Sequence, residues 1–286
     1  MRGLSLSGGG IKAAAHIGAL KAFEEEKIKF DCVSGASSGS IIATMYALGY
    51  SSDEMWKLFK KYYKKIKYVE WKQVIKMILG LIFTRRLVID GLNSGKVIEK
   101  IINEICKKSY VENINEIKMP LMISMVDLQK GTVYIASSQE KRKVLQDNTK
   151  YISDIPIATA VRASCSFPVV FSPCKFDGLQ LIDGGTRENL PWKGLKEYGA
   201  DEVYGIAFDT ILEKNQCCKN MIEVAARAME LQGRELANYE KEGIDHLITI
   251  CLKKVALLDS SQIDVLYKMG YEETKKQLNL LKKSTK

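Results

Sequence analysis

Gly3-Leu4-Ser5-Leu6-Ser7-Gly8-Gly9-Gly10-Ile11-Lys12, at the head of the chain, carries a short apolar strand into three glycines and out into a helix. Across residues 11–26 apolar side chains recur at helical spacing, with Ile11, Ala15, Ala19 and Phe23 on one face. Ile28-Lys29-Phe30-Asp31-Cys32-Val33 then alternates with the period of a strand, residues 35–39 turn, and residues 40–48 resume as an apolar helix. A strand–helix–strand–helix opening predicts a mostly parallel sheet flanked by helices. The alternation returns further on, with strands expected at 120–126, 132–136, 179–182, 202–208 and 246–252. Helices are expected at 93–108, 155–165, 192–198, 221–239 and from about 260. No repeat or linker breaks the pattern, so residues 1–286 read as one α/β domain.

The chain has 286 residues, 46% of them hydrophobic, which suffices for a large core; five prolines and 27% charged residues do not fit disorder. Seven scattered cysteines and two histidines, without a C-x-x-C pair, exclude a secreted disulfide framework and a Cys/His metal site. No metal or organic cofactor is expected. The net charge of +9 suits an anionic partner, and much of it is local. Residues 51–90 hold ten Lys/Arg against four Asp/Glu, and seven of the 24 aromatics: Trp56, Phe59, Tyr62, Tyr63, Tyr68, Trp71 and Phe83. They read as a helical insertion, basic on one side and apolar on the other. Nucleic acid is not expected, since no helix-turn-helix, RRM-type or zinc signature accompanies the charge. Glycines that matter at residue 8 leave no room for a signal peptide, and the longest apolar run, 77–83, is too short to span a bilayer. The expectation is a soluble, cytoplasmic protein.

Three segments carry chemistry. Gly35-Ala36-Ser37-Ser38-Gly39 is a G-x-S-x-G between an expected strand and an expected helix, the setting of a nucleophile elbow. Gly8, Gly9 and Gly10, followed by Ile11 and Lys12, offer consecutive backbone N–H groups at a helix start, an oxyanion cradle. The same loop satisfies G-x-G-x-x-A through Gly8, Gly10 and Ala13, so a dinucleotide-binding oxidoreductase is a rival reading. That reading wants an acid at the end of the second strand, where Asp31 comes too early, and it leaves Ser37 unexplained. Asp183, followed by Gly184 and Gly185, closes a short apolar strand and supplies a base for Ser37. His246 stands in the order Ser–Asp–His but opens an apolar strand, and His16 lies among apolar residues of the first helix. A Ser37–Asp183 dyad is therefore the expectation, with the carboxyl raised by burial.

Assembled, these residues resemble the patatin-like phospholipase family: Gly8-Gly9-Gly10-Ile11-Lys12 with His16-Ile17-Gly18-Ala19-Leu20, Gly35-Ala36-Ser37-Ser38-Gly39, the run Ala163-Ser164-Cys165-Ser166-Phe167-Pro168-Val169-Val170-Phe171, and Asp183-Gly184-Gly185. Lys12 stands where the family usually has Arg. The resemblance implies a three-layer α/β/α sandwich and lipid acyl hydrolysis, with Ser37 as nucleophile, Asp183 as base and oxyanion donors at Gly8–Gly10. Residues 51–90 then read as a lid or peripheral membrane contact through Lys60, Lys61, Lys64, Lys65, Trp56 and Trp71, meeting an anionic surface. A catalytically silent lipid binder of the same fold is the further alternative.

Overall fold

The structure is a computed structural model that describes residues 1–67, 69–85, 89–140, 148–210, 217–218, 221–252 and 260–284. Tyr68, counted above with the aromatic side chains, lies outside them.

The head of the chain forms β1 (Arg2–Leu6) and α1 (Ala13–Glu25), then β2 (Cys32–Gly35) and α2 (Ser38–Ala47). The expected strand at 28–33 is displaced towards its end. Lys27 adopts a left-handed φ of 56° to close α1, the Ile28 amide caps on the Phe23 carbonyl, and Phe30 turns into the core. Only from Cys32 does the backbone pair with β1. Next come α3 (Ser52–Tyr62), α4 (Trp71–Thr84) and α5 (Lys96–Lys107). α3 opens on a capping box between Ser51 and Glu54.

β3 (Leu121–Asp127), β4 (Val133–Ser137) and β5 (Thr149–Ile152) follow, then α6 (Ile157–Ser164), β6 (Cys174–Phe176), β7 (Leu179–Asp183) and α7 (Trp192–Tyr198). The chain ends with β8 (Glu202–Thr210), α8 (Met221–Glu240), β9 (His246–Leu252) and α9 (Ile263–Ser284). Among the described residues the strands form one sheet in the order β5-β4-β3-β2-β1-β8-β9, with β7 against β3 and β6 beyond it. β2, β1, β8 and β9 run parallel to one another and to β3, whereas β4 and β7 are antiparallel to β3.

Both faces are covered, so strands are buried on both sides, as parallel sheets require. Leu4, Leu6 and Val33 point into the larger core with α1, α2, α5 and α6. Cys32, Met122 and Val203 point into the smaller one with Trp192 and Leu195 of α7. α1 is buried from Ala13 to Leu20, and its small residues admit α9 at backbone distance. A Cβ on Gly18 would collide with the Tyr267 carbonyl, and one on Gly270 with that of Ala15.

Position in the sheet creates the site. β2 pairs with β3 through Gly35↔Ile123, and β7 pairs with β3 from Met125↔Asp183 onward. β4 occupies the other edge of β3, so β2 and β7 share one lane and meet end to end. One β3 residue, Ser124, separates the two pairings.

Candidate active site

Ser37 stands at the break in that lane. Its φ of 49° and ψ of −128° place a non-glycine residue in the left-handed half of backbone space, at a cost of about 1–3 kcal/mol. Surrounding bonds hold it there: the Ser37 amide donates to Ser164 Oγ at 2.9 Å, and Ser40 Oγ donates to the Ser37 carbonyl at 2.6 Å. The flanking glycines serve close approach. A Cβ on Gly35 would lie 2.6 Å from the Gly39 carbonyl carbon, and one on Gly39 would lie 2.6 Å from the Ser7 carbonyl oxygen. α2 begins at Ser38, so its positive end faces the serine.

Asp183 closes the lane from the other side and is only 2% exposed. Its amide donates to the Ser166 carbonyl at 3.1 Å, and Oδ1 accepts the Gly185 amide at 2.8 Å. Burial pushes its carboxyl up to about 6, against a downward pull from the Ser37 side chain and the Gly185 amide, and among the described residues Oδ2 has no hydrogen-bond partner. Gly184 has no space for a side chain because Ser124 lies against it. Ser164 thus holds the Ser37 amide while Ser166 holds the Asp183 amide, and a three-residue stretch at the end of α6 sets both groups.

The glycine loop lies against the serine, since a Cβ on Gly8 would sit 2.8 Å from Ser37 Cβ. Of its three amides, that of Gly8 is engaged: it donates to Asn189 Oδ1 at 3.0 Å and to the Asn189 carbonyl at 3.3 Å. This corrects the expectation of three free donors and leaves Gly9 and Gly10, whose amides have no partner among the described residues. Gly9 is packed over the Phe208 ring, 2.7 Å from where its Cβ would stand. Phe208 in turn covers His16 at 4.4 Å between centroids. His16 is fully buried with Nε2 2.7 Å from the Ser7 carbonyl, an acceptor, so Nε2 carries the proton. Burial lowers it to about 4, which makes it a neutral floor to the loop. Lys12 is buried at the start of α1, and its amide donates to the Gly9 carbonyl at 3.2 Å.

The two readings weighed against the dyad are not brought together. His246 opens β9 at the far edge of the sheet, with Nε2 2.8 Å from Glu202 Oε1, beside Arg2 at the start of β1. Ser37 follows the opposite strand ends, so no Ser–Asp–His triad forms. Asp31, the acid that a dinucleotide site needs, accepts the Arg2 amide at 2.7 Å on that same far edge. Sequence reasoning missed Asn189, Ser164 and Glu240. Glu240 carries the Asn189 segment by accepting the amides of Asn189 at 2.7 Å and Leu190 at 3.2 Å. Burial and the neighbouring Glu188 push its carboxyl up. Ser164 lies inside the run 163–171 quoted above, where it carried no role, and neither Asn189 nor Glu240 belongs to a motif that a single sequence displays.

In residues 51–90 the expected membrane residues divide. Lys60, Lys61, Lys64 and Lys65 stand 4.7–5.6 Å from the ring centroids of Trp56, Tyr62, Tyr63 and Tyr62. Trp56 is a packing residue, tilted over Tyr267 of α9 at 4.5 Å and stacked on Phe59, which corrects its place among the membrane contacts. Trp71, on α4, is open to solvent.

A family model, patatin-like phospholipase, matches residues 4–196. An uncharacterized protein of Bacillus subtilis, YqhO, is 32% identical over 199 residues, which is 67% of this chain and 66% of that protein. Lysophospholipase NTE1 of Lodderomyces elongisporus is 26% identical over 204 residues, 71% of this chain and 12% of that protein. The matches thus take in just under two thirds of the first relative and a small part of the second. Among solved structures, VipD from Legionella pneumophila aligns with a TM-score of 0.55 over 97% of this chain and 66% of its own, at 19% identity, a likeness of fold.

Proposed function

The chain belongs to the patatin-like phospholipase family, and on that premise we propose that it is a serine-dependent lipid acyl hydrolase working through a Ser37–Asp183 dyad. The observation that carries the reading is the end-to-end meeting of β2 and β7, which sets a strained serine against a buried, raised carboxyl.

Ser37 Oγ attacks the ester carbonyl carbon while Asp183 takes its proton. A carboxyl near 6 is still mostly ionised at neutral pH, yet a stronger base than an ordinary aspartate by about two powers of ten. The carbonyl oxygen becomes an oxyanion beside the Gly9 and Gly10 amides, a kind of contact worth about 3 kcal/mol per donor in the transition state. As the tetrahedral adduct collapses, Asp183 returns the proton to the departing alcohol, leaving the acyl group on Ser37. Water then enters; Asp183 takes its proton, hydroxide adds to the acyl carbon, and the fatty acid leaves as Ser37 is reprotonated. The substrate is a phospholipid or another lipid ester, presented at an anionic surface to which Lys60, Lys61, Lys64 and Lys65 add about 1 kcal/mol of attraction each.

The test is a p-nitrophenyl acyl ester assay beside labelling by a fluorophosphonate probe. Wild type should turn over and label, and Ser37→Ala should do neither. Turnover or labelling that survives Ser37→Ala would remove Ser37 as nucleophile. Wild type that neither labels nor turns over would make the protein a silent lipid binder.

A further inference from the structure

α4 wears its apolar face outward. A surface helix ordinarily turns that stripe to the core. Here Trp71, Ile75, Ile78, Leu79, Ile82 and Phe83 are 46–79% exposed, while Gly80 is buried and Gln73, Val74 and Met77 are partly covered. At about 100° per residue, Ile78, Trp71, Ile82, Ile75 and Leu79 fall within about 100° of arc, and Lys72, Phe83 and Lys76 continue the same face. None of the α4 side chains among those described belongs to either core cluster. The helix is held at its start by polar bonds: the Glu70 amide donates to the Leu92 carbonyl at 2.9 Å, and Ser94 Oγ donates to Glu70 Oε1 at 3.0 Å.

A contiguous exposed apolar face marks an interaction surface. We propose that α4 enters an anionic lipid bilayer, lying in the plane of the interface with its exposed apolar side chains below the headgroups and Lys72 and Lys76 among them. This rests on the lipid hydrolase reading and names the surface through which that site meets its substrate. Charge selects the occupant. Lys60, Lys61, Lys64, Lys65 and Lys67 precede the helix, and Lys72 and Lys76 share its outer face. A second copy would set the same lysines against each other, whereas a bilayer offers a negative plane above an apolar interior. Length selects the pose. The 14 residues of α4 extend about 21 Å, short of the roughly 30 Å of bilayer hydrocarbon, and no helix among the described residues is long and apolar enough to cross a membrane.

The helix is tied to the dyad. Residues 91–93 follow it, and the amides of Leu92 and Asn93 donate to the carbonyls of Val169 and Val170 at 3.1 and 2.9 Å. Val169 is exposed and holds a φ of 70°, a rare conformation for a β-branched residue. From Val169 the chain leads back to Ser166 and Ser164, which hold Asp183 and Ser37. The bilayer helix and the reacting pair are thus joined through one hydrogen-bonded stretch.

Tryptophan emission tests this in the intact protein, because Trp192 is buried and Trp56 half-buried, leaving Trp71 as the exposed reporter. On phosphatidylcholine vesicles containing phosphatidylglycerol, emission should shift to the blue and be quenched by lipids brominated on their acyl chains. Trp71→Phe should abolish the shift, and Ile75→Glu with Ile82→Glu should lower vesicle partition about a hundredfold at unchanged melting temperature. Vesicle binding with Trp71 emission still that of water would assign the contact to the lysines alone and overturn the proposal. So would a dimer in light scattering that the double glutamate variant dissolves. Wild type that hydrolyses a soluble ester yet shows no shift refutes this inference alone. Wild type that shifts but neither labels nor hydrolyses refutes the hydrolase reading alone.

Discussion

Asp183→Asn is expected to abolish turnover and stabilise the fold at the same time. Burial lifts this carboxyl from its ordinary 3.8 to about 6, so the folded chain prefers the protonated acid. Between those two values the folded chain holds a proton that the unfolded chain has lost. The penalty for carrying the carboxylate therefore grows as pH rises through that window and is complete above it. At about 1.4 kcal/mol per pH unit it amounts to about 3 kcal/mol at pH 8. Asparagine keeps the shape without the charge and escapes the penalty. Its melting temperature at pH 8 should rise by about 6 °C, at about 2 °C per kcal/mol for a chain of this size, and the gain should vanish near pH 4. Ester hydrolysis should fall about a thousandfold, while wild-type kcat/KM should drop tenfold per unit below about pH 6. Circular dichroism melts of both proteins at three pH values, beside an ester assay, make the comparison. A variant that melts no higher than wild type at pH 8, or whose advantage persists at pH 4, would refute the burial argument. An acid limb centred near the ordinary 3.8 would remove Asp183 as the base.

Ser164→Ala strips the acceptor from the Ser37 amide and should lower kcat about tenfold with KM unchanged, as read from full saturation curves. Gly8→Ala puts a methyl 2.6 Å from Asn189 Oδ1 and 2.8 Å from Ser37 Cβ, so both ester hydrolysis and fluorophosphonate labelling should slow at least about a hundredfold. His246→Asn breaks a partly exposed pair with Glu202, which should cost less than about 1 kcal/mol in a urea titration and leave ester turnover within about twofold.

Much of this was legible because it is local. The strand–glycine–helix rhythm of the first fifty residues depends on neighbours in the chain, and so does part of the elbow at Ser37, where Gly35 answers to the backbone of Gly39. β5 at Thr149–Ile152 and β6 at Cys174–Phe176 went unread, for each is short and partly polar and is drawn into the sheet by a neighbouring strand. The period of α4 was visible, but a period does not say which way the stripe points. Only packing tells that Trp56 turns inward to Tyr267 while Trp71 turns outward. Gly8 was misjudged as a free donor for a related reason. Its partner, Asn189, is remote in sequence and is itself positioned by Glu240 at the end of α8. That β2 and β7 would share a lane follows from pairing register, which no residue pattern states.

The glycine contact between α1 and α9 separates two borders that are easily taken for one. The family model ends at residue 196, before β8, β9 and α9. Yet β8 is the partner of β1 along its whole length, and α9 lies backbone to backbone on the helix that follows the glycine loop. Lys275 and Lys282 also clasp Glu25 and Glu26 at the end of α1. The family model thus covers an excerpt, while cooperative folding needs the text that follows it. Recombination that moved only the recognisable part would deliver a nucleophile and a base on a sheet with a bare central strand and a wet glycine seam. What can be inherited as a working unit runs on through α9.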